Sequence, residues 1–207
     1  MKLIQLAFIL TFLIGVSFVG NEVEATVGSQ DFGLKVGTAA PDFSAVTNAG
    51  NKVTLSLLYK KGPVVLIFYS GGWCPVCSLY LKTVQLHLQD FKKAGIRLLA
   101  VSGDRTEYVR RFVKKEGLGF DVISDPQENI LKIYNVQYIV PQASVREYIN
   151  RYHIDKSDYM GRRGFAIAVP AEYVIGRNGK IIFARENFKV REKVEEILDL
   201  LKSRKNL

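Results

Sequence analysis

Cysteine is almost absent from this chain: 207 residues hold two, Cys74 and Cys77. That excludes a scaffold stapled by several disulfides. Histidine is equally scarce, with only His87 and His153, and there is one tryptophan, Trp73. A zinc site needs four ligands, of which the cysteine pair supplies two. His87 stands ten residues beyond Cys77 on one predicted helix, roughly 15 Å along its axis. His153 alone would leave the site open, so no metal and no cofactor is expected. Internal repeats, low-complexity tracts and a second domain are also missing.

Charge is not lacking, but its balance is one-sided, at +9. The basic residues come as scattered pairs, Lys60-Lys61, Arg110-Arg111, Lys114-Lys115 and Arg162-Arg163, with a short basic end at 202–205. A phosphate-binding footprint would gather them on one face. No nucleic-acid partner is expected; an anionic membrane surface or an acidic partner stays open.

One long apolar run exists, from Leu3 to Gly20, behind the single Lys2. It reads as a secretory signal over residues 1–25, with Val23 and Ala25 as the small residues of a cleavage site. Retained, the same segment would be an N-terminal membrane anchor. Either way the protein is expected to be exported, to the periplasm or beyond, with membrane contact only if that segment stays. Residues 26–35 read as a flexible leader, and 36–207 as one domain with an insertion at about 136–168.

Within that domain, Gly37–Phe43 and Lys52–Leu57 read as short edge strands. Pro63–Tyr69 is continuously apolar and β-branched, the pattern of a strand covered on both faces. A helix follows over 75–94, then a strand at 96–102 and a helix at 105–116. This alternation predicts a βαβ unit. Next come a strand at 120–124 and a helix from Pro126 to Tyr134 behind an Asp125 cap. Pro141–Tyr152 has helical character, and 156–164 is polar and turn-rich. Strands at 171–175 and 181–184 flank Asn178-Gly179, a strong hairpin signal, and a last amphipathic helix spans 190–202. The fold class is α/β, with a mixed central sheet flanked by helices on both faces.

Cys74-Pro75-Val76-Cys77 stands at the joint between the central strand and the first long helix. Proline favours the first helical position, which puts Cys74 at the N-cap and Cys77 one turn inside. Free backbone N–H groups and the helix dipole favour a thiolate there, and a depressed thiol pKa makes cysteine nucleophilic. A second cysteine one turn on can resolve a mixed disulfide. As a structural staple, so small a loop would contribute only about 2 kcal/mol.

The run Val65–Cys77, with Ala40-Pro41-Asp42-Phe43 before it and Val169–Ile175 after it, resembles the peroxiredoxin-like branch of the alkyl hydroperoxide reductase and thiol-specific antioxidant family, over about residues 36–203. The resemblance implies a thioredoxin fold, redox cysteines, a thioredoxin-type electron donor, and a peroxide or protein disulfide as substrate. It also shows departures. Where the family carries a proline, a threonine and the peroxidatic cysteine, this chain has Ser70, Cys74 and Cys77, and the family's arginine falls at Pro170. Weaker stabilisation of peroxide oxygens follows.

Trp73–Cys77 resembles instead the thioredoxin loop, and Pro170 the position of its cis-proline, implying substrate-binding roles for Trp73 and Pro170. In disulfide exchange Cys74 attacks and Cys77 resolves; in peroxide reduction Cys77 forms the sulfenic acid and Cys74 resolves it. A non-catalytic binding module on the same scaffold is the third reading. Tyr69 and Tyr173 read as core, and Glu172 as an outward-facing strand residue.

Overall fold

Val64–Phe68, the most apolar run of the domain, sits in the middle of a five-stranded sheet with every residue buried. Side chains at 65 and 67 pack on one face and those at 64, 66 and 68 on the other. Full burial of each such side chain contributes about 1.5–3 kcal/mol, so this strand fixes the position of everything attached to it.

The computed structural model describes residues 31–154, 165–186 and 194–203. The signal segment, the first part of the leader, the turn-rich stretch at 156–164 and the start of the last helix lie outside the described residues. From Phe32 onward the chain forms one compact unit. In chain order its elements are β1 (Ser44–Val46), β2 (Lys52–Thr54), α1 (Leu55–Tyr59), β3 (Val64–Phe68), α2 (Pro75–Leu86), α3 (Leu88–Lys93), β4 (Arg97–Ser102) and α4 (Thr106–Glu116). They continue with β5 (Asp121–Ser124), α5 (Asn129–Ile133), β6 (Gln137–Ile139), α6 (Gln142–Tyr152), β7 (Ala166–Ala168), β8 (Ala171–Ile175), β9 (Ile181–Glu186) and α7 (Val194–Ser203).

The main sheet runs β5-β4-β3-β8-β9, with β3, β4 and β5 parallel and β8 and β9 antiparallel. Apolar side chains of α2, α3, α4 and α7 cover one face; α1 and α5 cover the other. This is the mixed, doubly covered sheet expected from the sequence. The β8–β9 hairpin forms around Asn178-Gly179, and α6 forms where Pro141–Tyr152 suggested a helix.

Several boundaries differ from the sequence reading. Leu55–Leu57 is helical, not strand, because the Asp42 carboxylate accepts the Ser56 N–H at 2.8 Å and satisfies a donor that a helix start leaves open. Of Gly37–Phe43 only Ala39 makes a bridge, to Lys180. The 75–94 helix is two, since His87 leaves helical geometry and its N–H turns to the Val84 carbonyl, a tighter bond. α5 starts at Asn129, where the Asp125 carboxylate accepts the N–H groups of 129, 130 and 131. Before the first strand, Gly33 donates to the Asn135 carbonyl and the Leu34 N–H to the Tyr173 hydroxyl.

Among the described residues of 136–168, β6 pairs with β7, and α6 packs Val145 with Val140, Phe165 and Ile167.

Candidate active site

β3 delivers the chain to the site at its C-terminal end, where loops of α/β sheets gather their functional groups. Tyr69 is still buried; then Ser70-Gly71-Gly72-Trp73 turns across the strand ends to Cys74. Both glycines are required by close approach. A Cβ on Gly71, whose φ is +152, would lie 2.2 Å from Trp73 Nε1 and 2.8 Å from Asp104 Oδ1. One on Gly72 would lie 2.7 Å from ring atoms of both Phe112 and Tyr108.

Three hydrogen bonds hold this turn. The Gly72 N–H donates to Asp104 Oδ2 at 2.9 Å, the Cys74 N–H to the Gly71 carbonyl at 3.0 Å, and the Ser70 hydroxyl to the Ala168 carbonyl at 3.0 Å. Asp104 is itself buried and accepts from the Ser102 hydroxyl at 3.0 Å. Asp104 is absent from the residues that the sequence singles out. Its one signal there is position, just past the end of a buried strand.

Cys74 is the N-cap of α2 and Pro75 its first residue, as the motif predicted. Cys74 Sγ accepts the Cys77 N–H at 3.3 Å, so the sulfur takes the place that a serine or aspartate oxygen fills at other helix starts. Cys77 lies one turn inside and is only 5% exposed, whereas Cys74 is half-buried. Both are free thiols.

The two sulfurs differ in acidity for reasons visible in the geometry. The Cys77 thiol hydrogen-bonds to Cys74 and holds the Cys74 thiol below its ordinary value of 9.0; the N–H groups of Cys77 and Val76 add to this, while burial and the Asp104 charge oppose it. Cys77 is pushed far up, by donating to Cys74, by burial and by repulsion from the Cys74 sulfur, with Ser70 acting in the other direction. One thiolate forms readily, and it is the accessible one.

Trp73 and Pro170 sit at the rim of this arrangement. The Trp73 ring packs among side chains from 136–168, with centroid separations of 5.1 Å to Tyr152, 6.1 Å to Phe165 and 6.5 Å to Tyr148. Pro170 immediately precedes β8, whose Ala171 pairs with Phe68 at the end of β3, so it lies beside the loop that leads to Cys74. Among the described residues no peptide bond is cis, the Val169–Pro170 bond included. In that it departs from the thioredoxin pattern.

Glu172 is not outward-facing. It is 1% exposed, accepting from the Tyr80 hydroxyl at 2.6 Å and pairing with Arg185 at 2.6 Å. Alternation places a residue toward water only where one face of the sheet is open, and β8 lies between β3 and β9 with helices on both faces. Tyr69 and Tyr173 are core, as expected. Among the described residues, no group of three or more His, Cys, Asp or Glu side chains is placed to hold a metal ion.

Known proteins similar to this chain include redox proteins. Over 169 residues the chain is 26% identical to Peroxiredoxin Bcp of Escherichia coli strain K12, covering 82% of this chain and 96% of that protein. Over 125 residues it is 29% identical to the thiol-disulfide oxidoreductase ResA of Geobacillus kaustophilus, covering 60% of this chain and 71% of that one. The fold is that of Peroxidoxin BcpB from Mycobacterium tuberculosis, with a TM-score of 0.67, 19% identity, and 82% and 97% of the two chains covered. With the AhpC/TSA family model matching residues 36–184 and relatives of both redox types at its side, the chain belongs to the AhpC/TSA family and is a thiol-based oxidoreductase.

Proposed function

We propose that the enzyme carries out thiol-disulfide exchange with Cys74 as the attacking and Cys77 as the resolving residue. The observation that carries this reading is the contrast between the two sulfurs: Cys74 reaches the surface with a lowered thiol pKa, and Cys77 is buried with a raised one. The Cys74 thiolate attacks one sulfur of a substrate disulfide, whose S–S bond breaks as the other sulfur leaves as a thiolate. Cys77 gives its proton to that departing thiolate and attacks Cys74 Sγ, releasing the second substrate thiolate. The substrate disulfide gains two electrons and the Cys74–Cys77 pair is left as a disulfide. A thioredoxin-type donor then restores the dithiol.

Val76 and Leu79, both more than half exposed on the first turns of α2, offer an apolar surface beside Cys74 that suits a polypeptide substrate. Trp73 and Pro170 border it. Cleavage of 1–25 would place this chemistry outside the cytosol, where disulfide substrates persist.

The second reading is thioredoxin-dependent peroxide reduction with Cys77 as the peroxidatic residue, favoured by the extent of the similarity to Peroxiredoxin Bcp. Stopped-flow reaction of the reduced chain with hydrogen peroxide and with a model protein disulfide separates the two. Rapid exchange lost in Cys74→Ser, beside slow peroxide consumption, is the expected result. Fast peroxide consumption lost only in Cys77→Ser would overturn it, and inertness toward both would leave a binding module.

A further inference from the structure

We propose that Asp104 is a positioning residue of the site: its carboxylate holds the Gly71–Trp73 turn and, as an anion buried beside Cys74, opposes the thiolate and keeps the Cys74–Cys77 couple reducing. This rests on the reading of Cys74 as the attacking sulfur.

The geometry has three parts. Asp104 lies two residues past the end of β4 and is 2% exposed. Oδ2 is fixed from both sides, by the Gly72 N–H at 2.9 Å and the Ser102 hydroxyl at 3.0 Å. Oδ1 meets the turn at Gly71, where it and Trp73 Nε1 together exclude any side chain. The carboxylate thus sets the path of the three residues that lead into Cys74. The ionisable groups interacting with Cys74 include Cys77 from α2 and Asp104 from the β4–α4 turn; the buried Tyr69 hydroxyl, at the end of β3, interacts with Asp104, Cys77 and Tyr108 of α4. The Arg111 guanidinium lies over the Tyr108 ring at 5.5 Å.

A fixed negative charge penalises a second one nearby in low dielectric. The penalty falls on the reduced state alone, because the disulfide carries no thiolate. Asp104 therefore favours the disulfide, and a couple whose oxidised form is favoured is the stronger reductant. The helix start and the Cys77 thiol pull Cys74 toward the thiolate, and Asp104 limits how far they take it.

The test uses Asp104→Asn, which keeps an oxygen for the Gly72 N–H and removes the charge. Alkylation of the reduced chain with iodoacetamide is followed against pH, with the Cys74 adduct identified by mass spectrometry. The redox equilibrium is measured against glutathione: protein dithiol plus glutathione disulfide giving protein disulfide plus two glutathione thiols. The expected result is a Cys74 inflection about one pH unit lower and an equilibrium constant for oxidation about tenfold smaller, which is roughly 30 mV for a two-electron couple. An inflection that stays or rises in a folded Asp104→Asn chain would overturn the proposal and leave Asp104 a neutral hydrogen-bond acceptor. Asp104→Ser, removing the same charge with a smaller side chain, serves if the first variant does not fold; failure of both to fold assigns Asp104 to the fold alone and also overturns it. The inflection is read without any substrate, so loss of the exchange reading would show separately, as normal alkylation with no disulfide turnover.

Discussion

The Tyr80 hydroxyl, one turn beyond Cys77 on α2, donates to the Glu172 carboxylate at 2.6 Å, and Glu172 in turn holds Arg185 of β9 at 2.6 Å. Arg185 reaches on to Glu196 of α7 at 3.1 Å. This chain of polar contacts, buried at Tyr80 and Glu172 and reaching the surface at Glu196, ties the helix that bears both cysteines to β8, β9 and the final helix. Tyr80→Phe deletes one donor and leaves a buried carboxylate short of a partner, so it is expected to cost about 1–3 kcal/mol. Urea unfolding measures the loss, and the Cys74 alkylation rate is expected to be unchanged because the contact lies on the far side of Cys77.

Gly72 is set against two aromatic rings, and Gly72→Ala drives a methyl into Phe112 and Tyr108. Overpacking of this kind costs about 1–3 kcal/mol. Since the same residue donates to Asp104, the displaced turn is expected to slow exchange as well as lower stability. Parallel measurement of denaturation midpoint and exchange rate checks both.

The only tryptophan of the chain reports on α6 and Phe165, whose rings pack against it. Tyr152→Ala removes the ring nearest to Trp73 among the described residues, at 5.1 Å, and admits water to the indole. The expected outcome is a red shift of tryptophan emission with the fold retained, and a changed Michaelis constant for a protein disulfide with little change in Cys74 alkylation. An emission maximum that stays in place would mean that the Tyr152 ring does not shield the indole.

The sheet was legible where apolarity alone decides. Pro63–Tyr69 could only be a strand covered on both faces, and Cys74-Pro75 could only open a helix. What escaped the sequence depends on contacts between distant residues. Glu172 looked exposed because alternation presumes one wet face, while its burial rests on Tyr80 and Arg185, 92 and 13 residues away. Leu55–Leu57 looked extended because the carboxylate that caps α1 comes from Asp42, 14 positions back from the N–H it accepts. Asp104, between Gly103 and Arg105, reads as an ordinary turn residue; its meaning arises only when β4 ends beside the loop after β3.

Stability of the reduced chain carries a pH signature with two limbs. Cys74 has a lowered thiol pKa in the fold, so its contribution is present above the unfolded value, near 9.0, and is lost as pH falls through the lower folded value. Cys77 is raised, so its contribution is full below the unfolded value and declines as pH rises above it. Stability of the reduced protein is expected to climb toward that value and fall beyond it. Cys74→Ser removes the rising limb and Cys77→Ser the falling one, which thermal unfolding under reducing conditions across pH measures.

The same asymmetry decides which sulfur reacts first. Alkylation requires a thiolate and access to it. Cys74 has both, whereas Cys77 is 5% exposed and keeps its proton. Reduced protein given one equivalent of iodoacetamide at neutral pH is therefore expected to carry the adduct on Cys74, with an inflection below the ordinary thiol value. The Cys77 thiol is the largest cause of that lowering. Cys77→Ala is therefore expected to raise the Cys74 inflection and slow its reaction at neutral pH, by about tenfold for every pH unit the inflection climbs. A variant that lost only the resolving step would instead alkylate at the native rate and fail later, accumulating the mixed disulfide. Finding the first adduct on Cys77 would reverse the roles of the two residues and turn the assignment toward peroxide chemistry.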